Sequence, residues 1–176
     1  LLLIHLVFLI IWLAHYIHRS FIYPFVIDMT HPKMPISIAI SAFCFNLINV
    51  SVQAIGIFYF TTYSSDWLAS NTFLLGLSLF IIGMFINIRS DYLLVSLRKE
   101  KGPGYHLPNK FLYKYIASPN YFGEITLWTG ITIMGISTFE GMNYLALFSP
   151  IFSYLLLNYV SGVRMLEYRG QKKWGH

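Results

Sequence analysis

Asn87, Asp91 and Arg98 stand at i, i+4 and i+11 where a long apolar run turns polar, which lines them along one stripe of a helix. At a membrane surface such a stripe is costly unless it binds something polar. An amide, a carboxylate and a guanidinium in one row suit the phosphate and ribose end of a nicotinamide dinucleotide. They equally suit a helix end whose charges meet water. The stripe runs on to Arg98-Lys99 and is closed by a turn at Gly102-Pro-Gly-Tyr105.

Four other groups of polar residues interrupt the apolar background. Tyr16, Arg19 and Tyr23 share a helix face around His15-Tyr-Ile-His-Arg19, a pattern that an interfacial belt of Tyr and Arg also produces. Asn46, Asn49 and Gln53 fall at i, i+3 and i+7 within an apolar run, as amides that bridge helices do. Asn120 and Glu124, with Trp128 a turn beyond, follow Ser118-Pro119, and Pro119 fits the first turn of a helix. Glu124 then lies inside the membrane boundary, where a carboxylate needs either an arginine or a functional partner. Arg164, Glu167, Tyr168 and Gln171 make one more stripe, or a solvated helix end.

The elements that must position these groups follow from composition. The 176 residues are 56% hydrophobic and only 11% charged, against roughly 25% charged in a soluble domain. One core cannot hide that much apolar surface, so an all-α polytopic transmembrane bundle forming a single domain over 1–176 is expected. Five segments have nearly the apolar length a bilayer requires: 2–27, 36–62, 72–88, 121–137 and 144–163. Each must be a helix, because backbone polar groups cannot face lipid. Residues 28–35, 89–114 and 164–173 hold nearly all the Lys and Arg, whereas 63–70 and 138–143 carry only Asp66 and Glu140 as charges. Alternation across five helices puts the basic segments and the C-terminus on the cytoplasmic side. The net charge of +5 gathers there, where it attracts anionic lipid headgroups or a polyanionic cofactor.

Several function classes lose support. The basic residues are scattered between apolar helices, so no nucleic-acid surface is expected. Cys44 is the lone cysteine, which rules out an internal disulfide. His5, His15 and His18 lack the spacing of a structural zinc site, and no metal is expected. No Walker sequence or G-x-S-x-G elbow occurs. Gly102-Pro-Gly104 lacks the third glycine and the preceding strand of a Rossmann fingerprint, so a dinucleotide site would be made from helix ends and loops.

Four blocks together resemble the steroid 5-alpha-reductase family, the 3-oxo-5-alpha-steroid 4-dehydrogenases. They are His15-Tyr-Ile-His-Arg-Ser-Phe-Ile-Tyr23, the Asn49 and Gln53 pair, Asn87-Ile-Arg-Ser-Asp-Tyr92 through Arg98-Lys99 to Gly104-Tyr105, and Asn120-Tyr-Phe-Gly-Glu124 with Trp128. Their order and spacing match over nearly the whole chain, and the segment from Met34 to Gln53 looks closest to plant members. The resemblance implies a bundle of seven transmembrane helices, to whose last five this chain corresponds. It implies reduction of the C4–C5 double bond of a 3-oxo-4-ene steroid, or a related lipid enone, with NADPH delivering hydride to C5. By the same resemblance Tyr16 binds the 3-oxo group, and Glu124 lies near the nicotinamide. Asn87, Asp91, Arg98, Tyr105, Asn120, Arg164 and Tyr168 hold NADPH, and a carboxyl group on an earlier helix assists Tyr16. A monomer in the endoplasmic reticulum or a bacterial inner membrane is expected. The chain departs from the family pattern at His106, where an Arg often stands, and in the block from Arg164 to His176.

Two other readings compete. A membrane methyltransferase of the isoprenylcysteine type would bind S-adenosylmethionine, and a non-catalytic helper would bind neither cofactor. The row of Asn87, Asp91 and Arg98 suits a phosphorylated cofactor better than the first, and Glu124 with Tyr16 argues against the second.

Overall fold

The computed structural model describes residues 2–27, 36–102, 106, 108–136 and 142–160; among them every regular element is helical. Helix α1 spans Leu2–Val26. It is α-helical over Leu2–Ile17, widens to a π-helical turn at His18–Ile22 and tightens again over Tyr23–Val26. The wide turn has its cause in Pro24, which has no N–H to donate and whose ring crowds the carbonyl four residues back. The Tyr23 N–H instead reaches His18 O, one residue further than in an α-helix. His15, Tyr16 and Arg19 flank this turn, so the proline shapes the part of α1 that carries them.

Helix α2 covers Ile36–Ala54 and ends in a π-helical turn at Ile55–Tyr59. Helix α3, Asn71–Lys101, starts where the Ser70 hydroxyl accepts from Phe73 N at 3.1 Å. It stops at Gly102, whose φ of 76° is the left-handed conformation that closes helices. Its 31 residues make about 46 Å, well beyond the roughly 30 Å of bilayer hydrocarbon. Residues 89–101 thus continue the helix past the apolar span at 72–88, along the stripe that Asn87, Asp91 and Arg98 mark in the sequence. Good helix formers and the lack of any Gly or Pro before Gly102 explain the extension.

Helix α4, Pro119–Gly135, carries its proline in the first turn. Helix α5, Phe148–Leu155, lies between a 3-10 stretch at Asn143–Leu147 and a π-helical turn at Leu156–Val160. Three helices, with candidate spans at Leu2–Val26, Ala39–Tyr59 and Asn71–Lys101, are long and apolar enough to cross a membrane. Their outer faces expose Phe25, Leu75, Ile82 and Phe85, as suits contact with lipid.

Helices α3 and α4 pack antiparallel with almost no space between their backbones. A Cβ on Gly83 would stand 2.5 Å from Leu127 N, and one on Gly123 would stand 2.5 Å from Asn87 N. Glycine is needed at both points, and such close approach is how helices associate where lipid removes the hydrophobic drive. The seam sets Asn87 and Asp91 across from Asn120. At the opposite end of the bundle Phe8, Ile57, Trp67 and Met134 are buried, and Trp67 Nε1 donates to Met134 O at 3.0 Å. The Tyr63 hydroxyl closes that end against Ile57 O and Gly135 O, and burial holds its phenol above the ordinary value.

Candidate functional site

The polar residues of α1, α3 and α4 join into one network around two carboxylates. Asp91, buried at 3% side-chain exposure, takes Arg19 Nη1 at 2.7 Å. Its other oxygen accepts from Asn120 Nδ2 at 3.1 Å. Arg19 is held from behind by the Tyr23 ring, 5.1 Å away. Asn87 connects the two carboxylates: its Nδ2 lies 2.9 Å from Asn120 O and 3.0 Å from Glu124 Oε2. Glu124 Oε1 accepts from Trp128 Nε1 at 2.9 Å and has His15 Nε2 at 3.4 Å. The close seam is the reason Asn87 can reach both a carbonyl and a carboxylate of α4.

Beside this network lies a cavity of about 300 Å³ bounded by α1, α2, α4, α5 and the turn after α5. His15, Tyr16, Arg19, Glu124 and Trp128 line its polar side, and Phe45, Leu156 and Leu157 its apolar side. The His15 ring packs edge-on against Tyr16 at 5.1 Å and against Trp128 at 5.3 Å. The Tyr16 hydroxyl donates to Asn46 Oδ1 at 3.2 Å, so the one phenol lining the cavity is already oriented by a neighbour. Deeper along α1 and α2, Trp12 Nε1 donates to Gln53 Oε1 at 3.3 Å. Gln53 Nε2 lies 3.4 Å from Thr132 Oγ1, which in turn donates to Ala146 O at 3.0 Å. Asn46 and Gln53 thus bridge helices, as their spacing leads one to expect.

Of the residues singled out from sequence, Tyr16, Asn87, Asp91, Asn120 and Glu124 meet at this one place. Arg98 is exposed, two turns along α3 from Asp91. Tyr105, Arg164 and Tyr168 lie outside the described residues, as does the rest of the C-terminal stripe. Glu124 has His15 Nε2 at 3.4 Å, while Arg19, beside the same cavity, makes its hydrogen bond to Asp91. His15 and Arg19 are the site residues that sequence reasoning left unassigned. Their i, i+4 spacing was the available signal, since it places both on one face of α1. Tyr113, from the 3-10 stretch Phe111–Lys114, covers the outer end and donates to Ser90 O at 3.3 Å. Burial first, and the nearby Asp91 charge second, hold its phenol above the ordinary value.

The model of the family described as 3-oxo-5-alpha-steroid 4-dehydrogenase matches residues 32–161. A 3-oxo-5-alpha-steroid 4-dehydrogenase 1 of Bos taurus is 39% identical over 127 residues, covering 72% of this chain and 49% of the relative. Its counterpart in Homo sapiens is 38% identical over the same length, covering 72% and 49%. A steroid 5-alpha-reductase of Arabidopsis thaliana is 39% identical over 132 residues, covering 70% and 49%. The chain therefore spans about half the length of the curated relatives it matches.

Proposed function

The chain belongs to the 3-oxo-5-alpha-steroid 4-dehydrogenase family, and on that premise we propose that its protein reduces the C4–C5 double bond of a 3-oxo-4-ene steroid or similar flat lipid enone with NADPH. One observation carries the reading: a phenol, an imidazole and a carboxylate converge on a single cavity that also has an apolar side of Phe45, Leu156 and Leu157. A pocket of that kind suits a lipid with one polar end. Five membrane-crossing helices, with the basic segments on the cytoplasmic side, complete the proposal and bring a water-soluble cofactor to the protruding end of α3.

The residues at that end fit a polar ligand. His18 Nε2, Ser90 Oγ and Ser118 Oγ are buried without hydrogen-bond partners among the described residues, and each is within two positions of a network member. Buried polar atoms left so are costly, and a phosphorylated ligand offers the acceptors they lack. Asn87, Asp91 and Asn120, with the exposed Arg98, would hold NADPH. When bound, the cofactor supplies the hydride. Tyr16 acts on the substrate: as negative charge builds on the 3-oxygen, its hydroxyl turns from Asn46 to donate there and stabilises the transition state. Glu124, fixed by Asn87 and Trp128, keeps a negative charge close to the reacting end.

The test is the full-length protein reconstituted in lipid with NADPH and a 3-oxo-4-ene steroid. A product two hydrogens heavier and saturated at C4–C5, formed with matching NADPH consumption, is the expected result. Failure to reduce any conjugated enone, with binding of S-adenosylmethionine in place of NADPH, would overturn the reading.

A further inference from the structure

We propose that His15 and Glu124 together hold the proton that the reduced double bond takes up at C4, an inference that rests on reading this site as an enone reductase. Reduction of C4=C5 consumes a proton as well as a hydride. As C5 gains the hydride, the π pair moves toward the 3-oxygen and leaves an enolate whose C4 is basic. The enolate pair then forms the C4–H bond and restores the 3-oxo group. The bond that breaks is the Nε2–H of the protonated His15 imidazole, whose electrons stay on Nε2, with the Glu124 carboxylate facing it. Solvent water reloads the pair.

Among the described residues, the titratable groups of the cavity wall are His15, Tyr16, Arg19 and Glu124. A guanidinium does not give up its proton, and Arg19 is already bonded to Asp91. Tyr16 is required at the 3-oxygen. His15 Nε2 and Glu124 Oε1 stand 3.4 Å apart with both side chains largely buried, so a carboxylate charge in apolar surroundings faces an imidazole able to carry the compensating proton. Two features hold the pair in place. Trp128 donates to the same oxygen that faces His15, and the imidazole is wedged between the Tyr16 and Trp128 rings. The charged and titratable groups around His15 are Glu124 from α4, and Tyr16, His18 and Arg19 from its own helix. Asp91 of α3 is reached through Arg19, while Asn46 of α2 and Ser153 of α5 complete the wall without charge.

His15→Gln in the full-length enzyme keeps an amide donor for Glu124 and cannot carry the proton. The expected result is a fall in turnover of roughly 100-fold or more, with NADPH affinity and melting temperature close to wild type. The wild-type rate should fall as pH rises and the pair empties, and the variant should lose that limb. A second readout needs no turnover. An imidazolium in ring contact quenches an indole, so wild-type tryptophan emission should show a pH transition that His15→Gln removes. Wild-type turnover in the variant, or a wild-type rate level across the neutral and alkaline range, would overturn the proposal even if the variant cannot be purified. Should the wild-type protein reduce no enone at all, the reading of the site fails instead. The emission titration would then still report whether the pair holds a proton.

Discussion

Helices α3 and α4 touch backbone to backbone, whereas α1 and α2 meet through the tips of side chains. On the first side, Gly83 and Gly123 leave no room for a single methyl group. On the second, the contacts are Tyr16 to Asn46, Trp12 to Gln53 and a T-shaped pair of Trp12 and Phe58 rings. The cavity has walls from α1 and α2 as well as from α4 and α5. The difference shows how charged groups can be fixed on a close seam beside a cavity that side chains enclose. Asn87, Asp91, Asn120 and Glu124 all ride on the close seam, where neither backbone can shift without the other. Tyr16 and His15 ride on α1, which meets α2 through side chains. Arg19 joins the two sides through Asp91.

The largest expected effect tests the seam itself. Gly123→Leu forces a side chain into the backbone of Asn87 and should cost about 3 kcal/mol or more, the upper end for overpacking. A thermal-shift and monodispersity assay in detergent should find little folded protein, while Ile82→Ala on the lipid-facing surface of the same bundle should melt within a degree or two of wild type. Equal tolerance of both changes would break the comparison, because the seam would then be no tighter than the outer face.

Next comes the link between the sides. Arg19→Met strands the Asp91 charge. Breaking a buried pair costs roughly 3–5 kcal/mol, and with Arg19 38% exposed the cost should fall to about 2 kcal/mol. Adding Asp91→Asn should recover at least about half of that loss in a double-mutant cycle. Purely additive effects in that cycle would mean the two residues do not stabilise the fold as a pair.

Tyr16→Phe removes one hydroxyl on the second side and no packing. Turnover of a 3-oxo-4-ene substrate should drop at least about tenfold, near 1.4 kcal/mol, with NADPH affinity unchanged and little loss of stability. Initial rates at saturating NADPH measure it, and wild-type turnover would remove Tyr16 from the chemistry.

The smallest effect is expected beyond the seam, on the protruding end of α3. Arg98→Ala should leave the melting temperature alone, since the side chain is exposed. The preference for NADPH over NADH should narrow about fivefold, near 1 kcal/mol, if the guanidinium meets a 2′-phosphate. Competitive binding of the two cofactors reads this directly. An unchanged ratio would confine the cofactor contacts to the buried network.

Much of this was legible in the chain alone, because the signals are local. A low share of charges and long apolar runs require helices wherever the backbone meets lipid. The i, i+4 spacing of Asn87 and Asp91, and the Pro119 start that puts Glu124 in the second turn of a helix, singled out residues that do converge. Partner choice was not legible, because it joins residues far apart in sequence. Arg19 stands near both carboxylates but bonds to Asp91, 72 positions away, and His15 faces Glu124. The seven-residue spacing of Gly76 and Gly83, and of Gly123 and Gly130, was a signal left unread: Gly76 meets Gly130 as Gly83 meets Gly123. The stripe of Asn87, Asp91 and Arg98 and the turn at Gly102 marked the run of α3 beyond its apolar part, because both signals are local. Composition and spacing determined that helices would form and which groups would be costly to bury. The tertiary packing decided which of those groups compensate one another, since a buried charge is stabilised by whatever lies within a few ångströms of it, wherever that stands in the chain.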